Sequence, residues 1–362
     1  MKSEAYTILD LHAVQQNMDV VHRYAPAAKI LAVIKSNGYG HGLLRIAEAA
    51  NKADGFAVAR FTEAIALRKA GFKQRIVLLE GFSCSAEIDL LVQYDLETVV
   101  HCQEQITQLE QQQTAKKITV WLKIDTGMNR LGFSVAEFSI AQQRLSQCAS
   151  VAKNLYFMTH LANADDKNDA KTLTQIQLFN HTVQPLQGER SIANSAGLLA
   201  WQASLSDWVR PGIMLYGISP FANTTGAQFG LKPVMSLYST LIAIKQVNPN
   251  ETVGYSGTWV CEKPTRMGVI AIGYGDGYPR YAQTGTPVLV NGQRVPLIGR
   301  VSMDMITVDL TTQPEAKRGD VVTLWGDDLP IEEIAYYANT IPYTLVCGIT
   351  QRVQMLTENP SE

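Results

Sequence analysis

Charge of one sign is the first thing this sequence lacks. Its 31 Lys and Arg nearly cancel 33 Asp and Glu, leaving a formal net charge of −2. No broad basic field exists to draw nucleic acid or an anionic membrane. Long apolar runs are missing too, since none approaches the ~18 residues of a membrane span. The first ten residues, MKSEAYTILD, hold Glu4 and Asp10 and no apolar core, which reads against a secretory signal there. Cysteine is sparse: Cys84, Cys102, Cys148, Cys261 and Cys347 are odd in number, scattered and without a CxxC pair. Neither a disulfide framework nor a zinc knuckle is indicated, no metal is expected, and a reducing cytoplasm is the simplest home.

What is present is apolar surface to bury. The composition is 46% hydrophobic and 18% charged over 362 residues. That is more chain than one ordinary core accommodates, so two domains are expected.

The first two-thirds alternates short apolar runs with helix-like segments. The runs are KILAVIK (29–35), GFAVA (55–59), RIVLLEG (75–81), ETVVH (97–101), ITVWLKID (118–125), LYFMTHLA (155–162), RSIANSAG (190–197) and WVRPGIMLYG (208–217). Continuous apolar runs fit strands covered on both faces, as in a parallel sheet. Helix-like stretches lie at 43–52, 62–70, 86–94 and 136–147, with another at 11–24 before the first run. Eight strands with intervening helices predict an α/β chain whose N-terminal part is a (β/α)8 barrel.

In a barrel, chemistry sits where strands end. Those ends carry Lys35, Glu80, His101, Lys123 with Asp125, His160, Asn194 with Ser195, and Arg210 with Gly212. Polar groups scattered along buried strands would cost several kcal/mol each without partners. Their concentration at one end predicts a pocket.

The pattern changes near 219–230, a stretch rich in Gly, Asn and Thr that reads as a linker. Beyond it MSLYSTLIAIKQV, MGVIAIGYG, TPVLVNGQRVPLIG, MITVDL and DVVTLWG have strand character, with a hairpin at Asn291-Gly292 and one short helix near 330–338. The domains are therefore expected at 1–225, the barrel, and 226–362, mostly β, with the first few residues able to pack against the second domain.

Lys35 closes one apolar run and opens the small, glycine-rich SNGYGHG. A lysine there either pairs with a carboxylate or, with its amine freed by burial, forms a Schiff base with an aldehyde. A phosphate site would favour the second reading, because pyridoxal phosphate carries both groups. Barrels usually hold phosphate after strands seven and eight. Run seven ends in NSAG, a hydroxyl followed by a glycine at the start of a helical stretch; run eight contains RPGIMLYG, where Gly212 and Ile213 can present N–H groups. NSAG is equally an ordinary helix cap. Arg210 is either a salt-bridge partner or a cation facing the ring nitrogen of such a cofactor. Guanidinium keeps its proton, so in the second role it leaves that nitrogen unprotonated and the ring a weaker electron sink. Reprotonation at Cα is then favoured over transamination.

The segments AVIKSNGYGHG, WLKIDTGMNRLGF, THLANAD, NSAG, RPGIMLYG, VGYSGTW, IGYGDGYPR, GRVSMDM and IPYTLVCGI occur in one order across essentially the whole chain. Together they resemble the alanine racemase family, fold-type III enzymes that use pyridoxal 5′-phosphate. The resemblance implies a homodimer with active sites shared between subunits and L- and D-alanine as substrates. It implies two-base proton transfer at Cα on the cofactor aldimine, with Lys35 as the Schiff-base lysine and one base. Tyr255, from the partner subunit's second domain, is the other. A free phenol ionises near ~10, so such a base needs support, which His160 and Arg210 could relay.

By the same resemblance Tyr39, Ser195, Gly212, Ile213 and Tyr343 hold the phosphate. His160 stacks on the ring, and Arg130 holds the substrate carboxylate and the cofactor's phenolic oxygen. Lys123 matches a lysine that many members carry as a carbamate, an anion able to position Arg130. Met303, through its backbone N–H, and Asp304 belong to the substrate pocket, and Tyr274 and Tyr343 to the entrance. Ser302 stands where many members have cysteine, and Thr344 where glutamate is frequent, so entrance hydrogen bonding is expected to differ. Rival readings are a fold-type III decarboxylase, which would place an acid rather than Arg210 at the ring nitrogen, a broad-specificity racemase, and a non-enzymatic pyridoxal phosphate carrier.

Overall fold

The computed structural model describes residues 4–358. They divide into two compact units, one of residues 17–215 and one combining the chain up to Gln16 with Tyr216 onward. Strand β1 (Tyr6–Leu9) and the first turns of α1 (Leu11–Tyr24) lie before the barrel. Asp10 Oδ1 accepts the Ala13 N–H at 3.0 Å and so caps α1. Val14, Met18 and Val21 form its buried stripe.

The barrel unit closes eight parallel strands: β2 (Lys29–Val33), β3 (Gly55–Val58), β4 (Arg75–Leu78), β5 (Glu97–Val100), β6 (Val120–Lys123), β7 (Tyr156–Met158), β8 (Arg190–Ser191) and β9 (Trp208–Val209). Closure is made by β2 pairing with both β3 and β9. Between the strands run α2 (Lys35–Tyr39), α3 (Leu43–Ala49), α4 (Phe61–Lys69), α5 (Ser85–Gln93), α6 (Gln103–Gln111), α7 (Val135–Gln147), α8 (Lys171–Val183) and α9 (Ser195–Ala200). Every residue of β3 and β6 is buried, as strands flanked by helices on one face and barrel interior on the other require.

The end of the barrel where the strands begin is plugged. There Arg75 Nε meets Glu97 at 2.5 Å and Nη1 donates to Tyr156 Oη at 2.8 Å. Its guanidinium lies over the rings of Tyr156 and Trp208 at 4.4 and 5.2 Å. That leaves the opposite end for chemistry.

The second unit is built on an eight-stranded sheet. Its strands are β1, β10 (Met235–Val247), β13 (Thr265–Ile270), β14 (Pro287–Val290), β15 (Gln293–Pro296), β16 (Ile306–Asp309), β17 (Val321–Trp325) and β18 (Gln354–Thr357). A small hairpin, β11 (Thr252–Val253) with β12 (Trp259–Val260), stands apart. Turn residues Asn291 (φ 50°) and Gly292 (φ 76°) join β14 to β15 in the conformation a two-residue hairpin demands.

One expected helix became two: α10 (Ile331–Tyr337) is followed by α11 (Pro342–Gly348). The second forms in IPYTLVCGI, where no element was expected: Pro342 at the first turn has a fixed φ and no N–H to lose, which suits a helix start. The composition change near 225 lies inside this second unit. Glu332 Oε1 accepts the N–H groups of Ser219 and Gly226, each at 2.8 Å, and fastens the glycine-rich segment to α10. Among the described residues no helix is long and apolar enough to cross a membrane.

Candidate active site

Lys35 stands two residues beyond β2 and opens a turn of unusual hand. Ser36 (φ 55°, ψ 50°), Asn37 (φ 55°, ψ 47°) and Gly38 (φ 61°, ψ 46°) are left-handed, and Tyr39 follows at φ 50°. Left-handed helical backbone costs ~1–2 kcal/mol for each non-glycine residue, so the surroundings must hold it. Backbone bonds run from Gly38 N to Ile34 O, from Gly40 N to Ser36 O and from Gly42 N to Asn37 O, at 2.9–3.0 Å. Inside the loop the wholly buried His41 sets Nδ1 2.8 Å from Tyr39 O. Burial pushes the His41 pKa down to about 4, so the ring is neutral with its proton on Nδ1, donated to that carbonyl.

This turn delivers Tyr39 to Gly212. A Cβ on Gly212 would lie 2.6 Å from the Tyr39 hydroxyl, so only glycine admits that approach. Ser195 Oγ accepts the Gly212 N–H at 2.9 Å and the Met214 N–H at 3.4 Å. The NSAG helix is capped by Asn194, whose Oδ1 accepts the Gly197 N–H at 2.8 Å. The capping role therefore falls to Asn194 and leaves the Ser195 hydroxyl turned toward the loop after β9. Ile213 opens a 3-10 turn, Ile213–Tyr216, whose first N–H groups have no partner within the turn. Hydroxyls and backbone donors thus converge, as a phosphate tail needs.

Across the barrel mouth Arg210 is buried and fixed by oxygen acceptors. Nη1 donates to Ser191 Oγ at 2.6 Å, and Nη2 to Thr159 O at 2.6 Å and to Ile192 O at 3.3 Å. Among the described residues no carboxylate pairs with it, and burial pulls its pKa down to about 10. Nη2 also stands 3.5 Å from His160 Nδ1. Burial first, then Arg210, Lys123, Arg130 and Lys35, hold His160 well below its usual pKa. The His160 carbonyl accepts from Gln175 Nε2 at 3.3 Å, which ties the loop after β7 to α8.

Lys123 ends β6 and is buried. Desolvation, Arg210 and Arg130 draw its pKa down to about 8, opposed by Asp125. Arg130 rides on a loop folded by Asp125, whose Oδ1 accepts the Gly127 and Asn129 N–H groups at 2.9 and 3.1 Å. Phe133 N returns to Lys123 O at 2.9 Å. Lys35, Arg130 and Arg210 therefore act on both Lys123 and His160, and Asp125 opposes them at Lys123. So much positive charge in one mouth is a receptor for anions. A phosphorylated aldehyde with an anionic ring oxygen, and a substrate carboxylate, are the chemistry it fits.

The second unit gathers its own set. Tyr255 opens the 3-10 turn Tyr255–Gly257 between β11 and β12 and is 64% exposed. Tyr274 N donates to Ser302 O at 3.0 Å and Gly275 N to Met303 O at 2.8 Å. A Cβ on Gly273 would lie 2.2 Å from Met303 O, so glycine permits this contact. Arg352 clasps the assembly, with Nη2 2.7 Å from Asp304 Oδ1 and Nε 3.1 Å from Asp276 Oδ1. Tyr343 sits in the first turn of α11, with Thr344 exposed beside it.

Sequence reasoning missed Arg352, His41, Asn37 and Glu63. Asn37-Gly38 is a turn signal in retrospect; His41 bonds within its own loop, to Tyr39 O, while Glu63 and Arg352 act through contacts distant in sequence that no local pattern announces.

Residues 9–220 match the family model described as alanine racemase, N-terminal domain, and residues 234–357 the one described as alanine racemase, C-terminal domain. The chain is 51% identical over 351 residues to an alanine racemase of Vibrio vulnificus (strain CMCP6), covering 97% of this chain and 98% of that one. It is 50% identical over 341 residues to an alanine racemase of Shewanella piezotolerans, covering 94% and 95%. The crystal structure of biosynthetic alanine racemase from Pseudomonas aeruginosa superposes with a TM-score of 0.96 at 42% identity, over 99% of this chain and all of that one. An alanine racemase from Bartonella henselae, described with covalently bound pyridoxal phosphate, superposes with a TM-score of 0.90 at 29% identity, over 99% and 100%.

Proposed function

The chain is an enzyme of the alanine racemase family, and on that premise we propose that it interconverts L- and D-alanine with two bases, Lys35 on one face of the substrate and Tyr255 of the partner subunit on the other. Pyridoxal 5′-phosphate held by Lys35 would supply the electron sink that makes the Cα proton acidic. The hydroxyls of Tyr39, Ser195 and Tyr343 and the N–H groups of Gly212 and Ile213 would hold its tail, and His160 its ring. Arg210 stays charged at neutral pH even at a pKa of about 10, so it would offer the ring nitrogen a hydrogen bond without giving up its proton, which favours return of the proton to Cα over its loss.

Arg130 takes the substrate carboxylate, aligned by Lys123 in its carbamate form. The Met303 N–H and Asp304 border a pocket sized for a methyl group, and Tyr274 and Tyr343 line the way in. Inversion without turning the substrate requires a base on each face, which is why the site is completed in a homodimer. Five scattered cysteines without a CxxC pair suit a reducing cytoplasm.

One observation carries this reading: a barrel mouth where Lys35, Arg130 and Arg210 act on both Lys123 and His160, beside a donor-lined cradle at Gly212. The test is chiral product analysis of L- and D-amino acids incubated with the cofactor-loaded protein, together with borohydride trapping. Interconversion of alanine enantiomers and a label on Lys35 are expected. Release of carbon dioxide, or a label elsewhere, would overturn it.

A further inference from the structure

Lys35 and Tyr39 are four residues apart, and everything between them is left-handed: Ser36, Asn37 and Gly38 have φ of 55–61°. Three of the four residues from Ser36 to Tyr39 carry a Cβ and do not choose this backbone unaided. One side chain reaches the turn from another element. The Glu63 carboxylate, in the first turn of α4, accepts the Asn37 N–H through Oε1 at 3.1 Å. Its Oε2 accepts the N–H groups of Ala59 and Arg60, just past β3, at 3.1 and 3.2 Å. One carboxylate thus takes three backbone donors and fastens the turn after β2 to the segment after β3. A carboxylate is acceptor-only, so all three donors suit it, and charge-assisted bonds to N–H are the stronger kind.

We propose that Glu63 is a positioning residue for the cofactor element: it holds the left-handed turn that sets Lys35 at the barrel mouth and the Tyr39 hydroxyl against Gly212. This rests on the assignment of Lys35 and Tyr39 to the cofactor made above. Glu63 touches neither cofactor nor substrate, and acts through the backbone.

The isosteric Glu63→Gln presents an NH2 group where an acceptor stood, so at least one of the three donors faces another donor. In the apo protein, amide hydrogen exchange across 37–42 accelerates roughly tenfold while β5 and β6 keep their protection. Titration with pyridoxal 5′-phosphate gives a Kd raised roughly tenfold, about 1.4 kcal/mol, and the visible band of the Lys35 adduct shifts. The discriminating variant is Ser36→Gly. Ser36 is exposed, and glycine adopts φ near 55° without strain. Alone it leaves turnover near wild type; combined with Glu63→Gln it restores much of the lost affinity, because the turn then needs less holding.

Unchanged exchange and unchanged Kd in Glu63→Gln would overturn the proposal. So would a loss of affinity that Ser36→Gly does not relieve, since Glu63 would then matter only to general stability. If the wild-type protein were not trapped at Lys35, the cofactor assignment would fail, and the exchange experiment would still decide whether Glu63 holds the turn.

Discussion

Arg210 and His160 stand 3.5 Å apart, Nη2 to Nδ1, at the mouth of the barrel. Guanidinium only donates, so the contact suits a neutral imidazole with its lone pair on Nδ1 and its proton on Nε2. The ring is kept neutral first by burial and then by Arg210. Replacing Arg210 by methionine should therefore raise the His160 pKa, read by NMR titration of the ring protons. The same change strands the acceptors Thr159 O and Ser191 Oγ. Unfolding free energy should fall by ~1–3 kcal/mol for each acceptor left dry. A His160 titration that does not move would show that burial alone sets it.

Tyr255 is expected to act by moving a proton rather than by packing, since it is 64% exposed. Tyr255→Phe deletes one oxygen and should leave thermal stability near wild type. Racemisation should drop by ~10²–10⁴, the usual worth of a general acid–base group. Rates started from each alanine enantiomer separately, in deuterated water, would reveal which direction suffers. Equal and normal rates in both would remove Tyr255 from the chemistry.

Lys123 has its pKa drawn down to about 8 by burial and by its cationic neighbours. Near that pH a sizeable share of its amine is uncharged and can add carbon dioxide, losing one proton and becoming an anion. Adding bicarbonate at pH 8 should give a carbamate signal in 13C NMR that is absent from Lys123→Met. Acidification to pH 6 should discharge it as the ammonium form takes over. Activity should follow the carbamate signal, because an anion there can align Arg130.

His41 should make the protein acid-labile. Its folded pKa of about 4 lies below the ~6.5 of an unfolded histidine, so the unfolded chain binds the extra proton. The stability it contributes is whole above pH ~6.5 and is lost as pH falls toward 4, on the order of 3 kcal/mol. Urea midpoints measured between pH 7 and 4 should decline steeply in the wild type. They should decline less in His41→Gln, which starts lower because the bond to Tyr39 O is altered. His160, also held below its ordinary value, adds to the slope with the same sign.

The barrel was legible because each strand carries its own signal. The run at 29–35 folded as Lys29–Val33, and the short patterns at 55–59 and 190–197 became Gly55–Val58 and Arg190–Ser191. Of the strand-end polar groups, Arg210 acts on both Lys123 and His160. Less legible was α11: its apolar letters match a strand as well as a helix, and Pro342 decided between them. The tie between the glycine-rich segment and α10 was also hidden, because Glu332 reaches back more than a hundred residues to Ser219.

Taken alone, the sequence determined the alternation of strands and helices, the two-part composition and the chemistry of the candidate residues. Those properties follow from side-chain periodicity and functional groups, which are local. Only the tertiary structure decided that Ser36 to Tyr39 would wind left-handed, that Tyr39 would meet Gly212, and that Glu63 and Arg352 would brace the loops on which the site residues stand. Such backbone is unfavourable by itself, and partners that are remote in sequence must offset its strain. Their bonds exist once the barrel has closed.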